Sequence, residues 1–349
     1  MTFRGEVAGV TSLDHRAAAQ AATLHDRLAK PRGALGRLED VGIRLAAIAG
    51  SCPPPVPEPA VVAVFAGDHG VLVEGVTPWP QEVTAQMVAA FCAGGAAVNV
   101  LARHAGAEVV VVDVGVASDL APAPGLLLRK VRHGTANLAA GPAMTVDEAA
   151  RALDVGAAVA VGAVTAGARC LVTGDMGIGN TTASAALIAA LTGKPAAEVT
   201  GRGTGIDDPT WHRKVRIVEA AAARAPGDGS LDILAALGGL EIAALAGFIV
   251  GGAAARVPVV VDGVVALAGL LVAAAFAPVC VGYCLPGHRS TEPGATAALE
   301  HLEMEPLLDL GMRLGEGTGA CLALPLVQAA AKVLREMATL DSAGVTGKG

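Results

Sequence analysis

The sequence predicts an α/β protein: a doubly wound, mostly parallel sheet joined to a smaller helical part. Three features point there. Short strand-like runs alternate with longer helical patterns through the middle of the chain. Those runs are apolar at consecutive positions, as strands covered on both faces are. Polar, glycine-rich clusters fall just after the runs, where open α/β sheets bind their ligands.

The composition suits such a fold. The 349 residues suffice for one large or two moderate domains. Hydrophobic residues make up 53% but aromatics only 2%, and there are 45 glycines, so the core is of small residues and helices can lie close to the sheet. A net charge of −7 without a basic stripe argues against nucleic acid as a partner. The uncharged run from Gly263 to Leu285 is long enough to cross a bilayer, but Pro278 divides it and Asp262 precedes it. It reads better as buried helix and strand, so no membrane partner is expected. The amino-terminal segment, with Arg4, Glu6, Asp14 and His15, lacks a signal-peptide pattern. The cysteines at 52, 92, 170, 280, 284 and 321 contain no C-x-x-C pair. They read as core residues of a cytoplasmic protein.

Taken in order, Leu13, Ala17, Gln20, Leu24 and Leu28 form one helical stripe, and Leu35, Leu38, Val41, Leu45 and Ile48 a second. Lys30-Pro31-Arg32-Gly33 separates them. Cys52 to Pro59, with five prolines, is an extended linker and the clearest boundary. Strands are expected at Ala60–Ala66, Val109–Val116, Arg169–Thr173, Val257–Val261 and Pro278–Tyr283. Helices are expected near 81–93, 96–104, 146–166, 180–192, 208–224, 240–254 and 264–275. From about residue 295 the pattern is helical again. Residues 1–52 plus 295–349 are therefore read as a small helical domain beside a large α/β domain, 60–294.

The most telling segment is Arg313-Leu314-Gly315-Glu316-Gly317-Thr318-Gly319-Ala320. A carboxylate between glycines has the backbone freedom to approach a ligand closely, which makes Glu316 the first candidate for a base. The bland alternative is a helix start in which Glu316 or Thr318 caps the apolar run that follows. Gly174-Asp175-Met176-Gly177-Ile178-Gly179-Asn180-Thr181-Thr182 joins a strand to a helix and reads as a phosphate cradle, or as a turn capped by Asn180 or Thr181. Gly201-Arg202-Gly203-Thr204-Gly205 is a second such loop, with Asp207 placed to cap the helix that carries Lys214. By spacing alone Lys214 is either a solvated lysine or a cation turned toward the same anion. Asp68, His69, Asp175, Asp262 and His288 come singly from different loops, without metal-ligand spacing. Neither a metal nor a cofactor is expected. No G-x-S-x-G elbow presents a serine for hydrolase chemistry.

Six motifs in order carry a resemblance: Lys30-Pro31-x-Gly33-x-Leu35-Gly36-x-Leu38-Glu39; Asp68-His69-Gly70-Val71; Gly174-x-Met176-Gly177-Ile178-Gly179-Asn180-Thr181-Thr182; Asp262-Gly263; His288-x-Ser290-x-Glu292; and the Arg313–Ala320 segment. From about residue 20 to 338 the chain closely resembles the nicotinate-nucleotide–dimethylbenzimidazole phosphoribosyltransferases of cobalamin lower-loop biosynthesis. The resemblance implies a Rossmann-like sheet, a small helical domain built from both chain ends, and a homodimer. It also implies small-molecule substrates: nicotinate mononucleotide and 5,6-dimethylbenzimidazole, giving α-ribazole 5′-phosphate and nicotinate. It places the catalytic carboxylate on Glu316 and the substrate phosphate near Gly177, Ile178, Gly179, Asn180, Gly203 and Lys214. The acceptor base would lie against Trp79, Val83, Met87, Leu314 and Gly315. Trp79 and Met87 align with a serine and a glutamine of relatives, and Asp175 with a glutamate of some, so base preference is left open.

The residue types fit that chemistry. The leaving pyridine is already cationic, so it departs without a general acid. The attacking benzimidazole must lose its N–H proton, which Glu316 can accept. Asp175 is a candidate to stabilise an oxocarbenium-like centre. The alternatives are a magnesium-dependent small-molecule kinase and a non-catalytic nucleotide-binding protein.

Overall fold

The computed structural model describes residues 2–227 and 229–345. Three helices open the chain: α1 (Phe3–Gly9), α2 (His15–Arg27) and α3 (Arg37–Ala49). The proline-rich stretch then leads into β1 (Ala60–Gly67), followed by α4 (Glu82–Cys92), α5 (Ala97–Ala105), β2 (Ala107–Gly115) and the short β3 (Leu126–Leu128). Next come α6 (Val146–Thr165), β4 (Cys170–Met176), α7 (Asn180–Thr192), α8 (Ala196–Val199), α9 (Asp208–Ala223), α10 (Ser230–Leu237) and α11 (Leu240–Ala254). The chain closes with β5 (Val259–Val261), α12 (Val264–Phe276), β6 (Cys284–Pro286), α13 (Pro293–His301) and α14 (Thr318–Glu336).

The strands form one six-stranded sheet in the order β3-β2-β1-β4-β5-β6, and every neighbouring pair is parallel. Because side chains alternate across a strand, β1 feeds two cores. Ala63 and Phe65 join the core shared with α6, α7, α11 and α12, while Val62, Val64 and Ala66 join the one shared with α5 and α14. The expected doubly wound, parallel sheet is the observed fold.

Two strand assignments change. Residues Pro278–Tyr283 form a 3₁₀ helix, and the sixth strand is the following Cys284–Pro286. Pro278 lacks a donor and sits at the start of that 3₁₀ turn, where a missing N–H costs nothing. Leu126–Leu128 adds an edge strand beside β2 that three residues could not announce.

Small residues decide how the helices pack. Gly156 of α6 lies where a methyl would overlap the Ala244 carbonyl of α11, and Gly247 of α11 lies likewise against the Leu153 carbonyl of α6. At these two points the backbones of α6 and α11 touch, leaving no room for a side chain. Gly156→Ala is expected to destabilise by about 3 kcal/mol through overpacking, with a lowered Tm in thermal unfolding as the check. An unchanged Tm would mean the two helices separate freely.

The apolar helices are core elements. α11 and α12 are almost wholly buried, and α12 ends before Pro278. The apolar stretch Glu82–Ala105 has 24 residues, but its helices α4 and α5 are 11 and 9 residues long. Gly94, at φ 76°, turns the chain between them. Helices α2 and α3 pack together and against α14, and a bridge joins Leu28 to Thr339. Helix α1 lies on α11 and α6, with Phe3 edge-on to Phe276 at 5.1 Å between ring centres. Helix α13 lies on α12, α7 and α8.

Candidate active site

A cavity of about 340 Å³ opens at the carboxyl ends of β4 and β5, beside the point where strand order reverses between β1 and β4. Every site residue expected from the sequence lines it. Glu316, Leu314 and Gly315 come from the turn before α14, and Asp175 through Asn180 from the end of β4. Trp79 comes from the segment leading into α4, Val83 and Met87 from α4 itself, and Gly203 and Lys214 from the loop and helix of α9.

The Glu316 turn is unusual. Gly315, Glu316 and Gly317 have φ of 82°, 63° and 94°, three successive residues in the left-handed region. For glutamate that conformation is strained by roughly 1–3 kcal/mol, so the surroundings must impose it. Gly174 has no side chain because the Glu316 carbonyl fills that space, and a methyl on Gly317 would press on the Thr173 carbonyl at 2.9 Å. Neither Glu316 nor Thr318 caps α14. The cap position is Gly317, and the Thr318 hydroxyl donates back to the Gly315 carbonyl at 2.8 Å. The cap comes from the end of β5: the Asp262 carboxylate accepts the Gly317 N–H at 3.1 Å and the Ala320 N–H at 2.9 Å. Glu316 itself accepts the Val98 N–H at 3.3 Å. Burial pushes its carboxyl above the ordinary glutamate range; the Val98 bond opposes that shift and the Asp262 charge adds to it.

Asp175 ends β4 beside this turn, with its Oδ2 accepting the Asn180 side-chain amide at 2.9 Å and its Oδ1 buried without a partner. Burial raises its pKa well above the usual aspartate value. The charges of Asp262 and Glu241 add to this, and the Asn180 bond opposes it. Asn180 is thus a partner of Asp175 and not a helix cap; the cap of α7 is Gly179, at φ 93°.

The anion side is more occupied than the loops suggested. The Ile178 N–H donates to Thr84 Oγ1 at 3.1 Å, and the Gly203 N–H donates to a Glu292 carboxylate oxygen at 2.8 Å. Lys214 is 2% exposed and donates to Thr181 Oγ1 at 2.8 Å. Desolvation lowers its pKa to about 8, against a pull upward from Glu292. Asp207 caps its helix as expected, accepting the Thr210 N–H at 3.0 Å. Arg313 ties the two loops together by donating to the Gly203 carbonyl at 2.9 Å.

Asp262, Glu292 and Arg313 make bonds in the site that the sequence does not announce. The His288-x-Ser290-x-Glu292 spacing was visible, and its three side chains all line the cavity. Asp68 and His69 do not. They lie behind it, where His69 Nε2 meets Glu241 Oε1 at 2.6 Å and the Asp68 carboxylate accepts the Ala117 N–H at 2.8 Å. Burial works against the His69 cation, but Glu241 outweighs it and holds the pKa above the ordinary value. Among the described residues no group of three or more His, Cys, Asp or Glu is arranged to hold a metal.

Comparison with known proteins agrees with this geometry. A family model described as phosphoribosyltransferase matches residues 10–345. The chain is 56% identical to the nicotinate-nucleotide–dimethylbenzimidazole phosphoribosyltransferase of Salinispora tropica, covering 100% of both chains. It is 55% identical to the Chloroflexus aurantiacus protein of the same name, covering 96% of each. The crystal structure of the enzyme of that name from Thermus thermophilus superposes with a TM-score of 0.92 at 50% identity, covering 96% of this chain and 100% of the other. The chain belongs to the nicotinate-nucleotide–dimethylbenzimidazole phosphoribosyltransferase family.

Proposed function

We propose that this chain transfers the 5-phosphoribosyl group of nicotinate mononucleotide to 5,6-dimethylbenzimidazole, with Glu316 as general base. The observation that carries the reading is the strained Glu316 turn facing the same cavity as the buried cation of Lys214. A raised carboxyl pKa makes Glu316 the stronger base, as deprotonation of a weakly acidic ring N–H requires. As the benzimidazole nitrogen attacks C1′, its other nitrogen gives its proton to Glu316, and the C1′–pyridinium bond breaks to release neutral-ring nicotinate. Attack opposite the leaving group inverts the β linkage to α. Placing both rings on one ribose supplies the rest of the acceleration by proximity.

Asp175 assists only as a carboxylate, whereas burial favours its neutral acid in the free protein. The pyridinium of the bound substrate supplies the positive charge that restores the ionised form. The phosphate lies between Lys214 and the first turn of α7, with Gly177, Gly179 and Asn180 at that turn. The Gly203 N–H becomes available to it once Glu292 yields. Ile178 contributes by holding the loop through Thr84.

Incubating the purified protein with nicotinate mononucleotide and dimethylbenzimidazole should give α-ribazole 5′-phosphate and nicotinate, detected by mass. Binding of the mononucleotide without release of nicotinate would favour the non-catalytic reading. Loss of turnover in EDTA would favour the kinase.

The acceptor pocket is apolar. Trp79 is half-exposed over it, and Val83 and Met87 face it from α4. Such surfaces hold a planar ring without directional readout. Benzimidazole and 5-methylbenzimidazole should be used within roughly 10–200-fold of dimethylbenzimidazole in kcat/KM, checked by competition. Rejection by several further orders of magnitude would show a polar readout.

The reading extends to a cytoplasmic homodimer with a helical domain of 1–52 plus 295–349 and an α/β domain of 60–294. The mutual packing of α2, α3 and α14 supports that division. Supporting the dimer, Val100 on α5 is 53% exposed and the Glu82–Ala105 stretch is 33% buried in one chain. Sedimentation of the purified protein tests it.

A further inference from the structure

Asp262 is wholly buried at the end of β5, far in sequence from the turn it holds. Its two oxygens take the N–H groups of Gly317 and Ala320, the residues that bracket the first turn of α14. Its own N–H donates to Thr173 Oγ1 at 3.0 Å, which ties it to β4 beneath the same turn. His288 stands on its other side, with Nε2 3.4 Å from Asp262 Oδ1. The His288 ring occupies the space that any side chain on Gly319 would need, and Gly263 faces its Nε2. The Asp262 backbone is therefore tied to β4 and its carboxylate to the start of α14, with His288 beside it, and the Glu316 side chain springs from the residue just before its first acceptor bond.

We propose that Asp262 is a positioning residue for the reaction, holding Glu316 in its left-handed conformation through the Gly317 and Ala320 N–H groups and setting its own carboxylate beside the base. This rests on the reading of Glu316 as general base. Removing the two acceptor bonds frees a backbone that glutamate does not otherwise favour. Removing the charge makes Glu316 easier to ionise and a weaker base. The other ionisable groups around the pair are Asp175 from β4, His288 after β6 and Cys321 on α14, with Glu241 behind Asp175. The Val98 N–H on α5 faces Glu316 from the opposite side and stabilises its anion. Of the carboxylates named, Asp262 bonds directly to the turn.

The test is Asp262→Asn, which keeps shape and one acceptor oxygen while removing the charge. The expected result is a kcat about tenfold lower, with the Kd for nicotinate mononucleotide within about twofold of the unmodified protein. The acid limb of kcat should also move to lower pH by about half to one unit, because Glu316 stays ionised further into acid. Ionisation of the benzimidazole is common to both proteins and cancels when their rates are divided, so the ratio of variant to unmodified kcat should rise toward acid pH. A ratio flat with pH, or an unchanged kcat, would overturn the proposal. If the variant does not fold, Thr173→Val removes only the hydroxyl that accepts the Asp262 N–H; kcat is expected to fall several-fold with the Kd for nicotinate mononucleotide unchanged, and an unchanged kcat would overturn the proposal. Should the unmodified protein form no α-ribazole phosphate at all, the general-base reading fails first and this inference falls with it. Turnover by the unmodified protein with a pH-independent ratio removes this inference alone.

Discussion

Glu316→Gln is expected to lower kcat by about 10²-fold or more while leaving the Kd for nicotinate mononucleotide nearly unchanged. Glutamine is isosteric and its carbonyl can still accept the Val98 N–H, so the turn has no reason to collapse. What disappears is the site for the benzimidazole proton. The loss should appear in kcat with both substrates saturating, since an interaction made only as the proton moves does not contribute to ground-state binding. In the unmodified protein the dependence on pH has a definite sign. Glu316 works as its anion, and its pKa is raised chiefly by burial, so activity is full above that raised value and falls as pH drops through it. Glu316→Gln should lack that limb. Near-normal turnover by the variant at saturating substrate would remove Glu316 from the mechanism.

Lys214→Met should separate stability from function. Lys214 is almost wholly buried, and among the described residues its amine meets only the neutral Thr181 hydroxyl within hydrogen-bond reach, with Glu292 acting from further off, so its charge is incompletely compensated in the free protein. Methionine fills similar space without that desolvation cost and should stabilise the unliganded protein at neutral pH by about 1–3 kcal/mol. The same variant should raise KM for nicotinate mononucleotide by about 10–100-fold, as loss of a charge-assisted contact to phosphate would. It should leave the dephosphorylated riboside and the base nearly unaffected. The linkage gives a second check. The folded-state pKa of about 8 lies below the usual lysine value, so between them the unfolded chain binds more protons. Stability should therefore rise with pH from about 8 toward 10 in the unmodified protein, and this gain should be missing from Lys214→Met. Equal effects on both nucleosides would place the phosphate elsewhere, and a lower Tm for the variant at neutral pH would mean Lys214 is compensated.

The two groups behind these predictions were not equally legible. Glu316 could be picked out from its glycine neighbours alone, because three left-handed residues in succession leave a compositional trace. Lys214 could not. Its position on α9 was clear, but whether that face meets solvent depends on the packing of α7 and α8 against α9, which no local pattern carries. Asn180 and Thr181 read as caps because polar residues at a helix start usually are; in the fold one holds Asp175 and the other Lys214. Glu292 lies 89 residues from Gly203, and nothing near either one announces their hydrogen bond.

By itself, the sequence determined the parallel class of the sheet, the order of the main strands and helices, the convergence of glycine-rich loops on one edge, and the family. These follow from short-range physics: consecutive apolar residues mark a strand covered on both faces, and glycine marks backbone that a side chain would obstruct. Tertiary structure decided the three-residue strands at the sheet edges, the burial of Lys214, the occupation of the Gly203 donor and the capping of α14 by Asp262. A three-residue strand exists because a neighbour pairs with it, a buried charge because other helices close over it, and a remote cap because β5 ends beside α14. Each depends on contacts between segments far apart in the chain, and the side chains involved are individually ordinary until the fold brings them together.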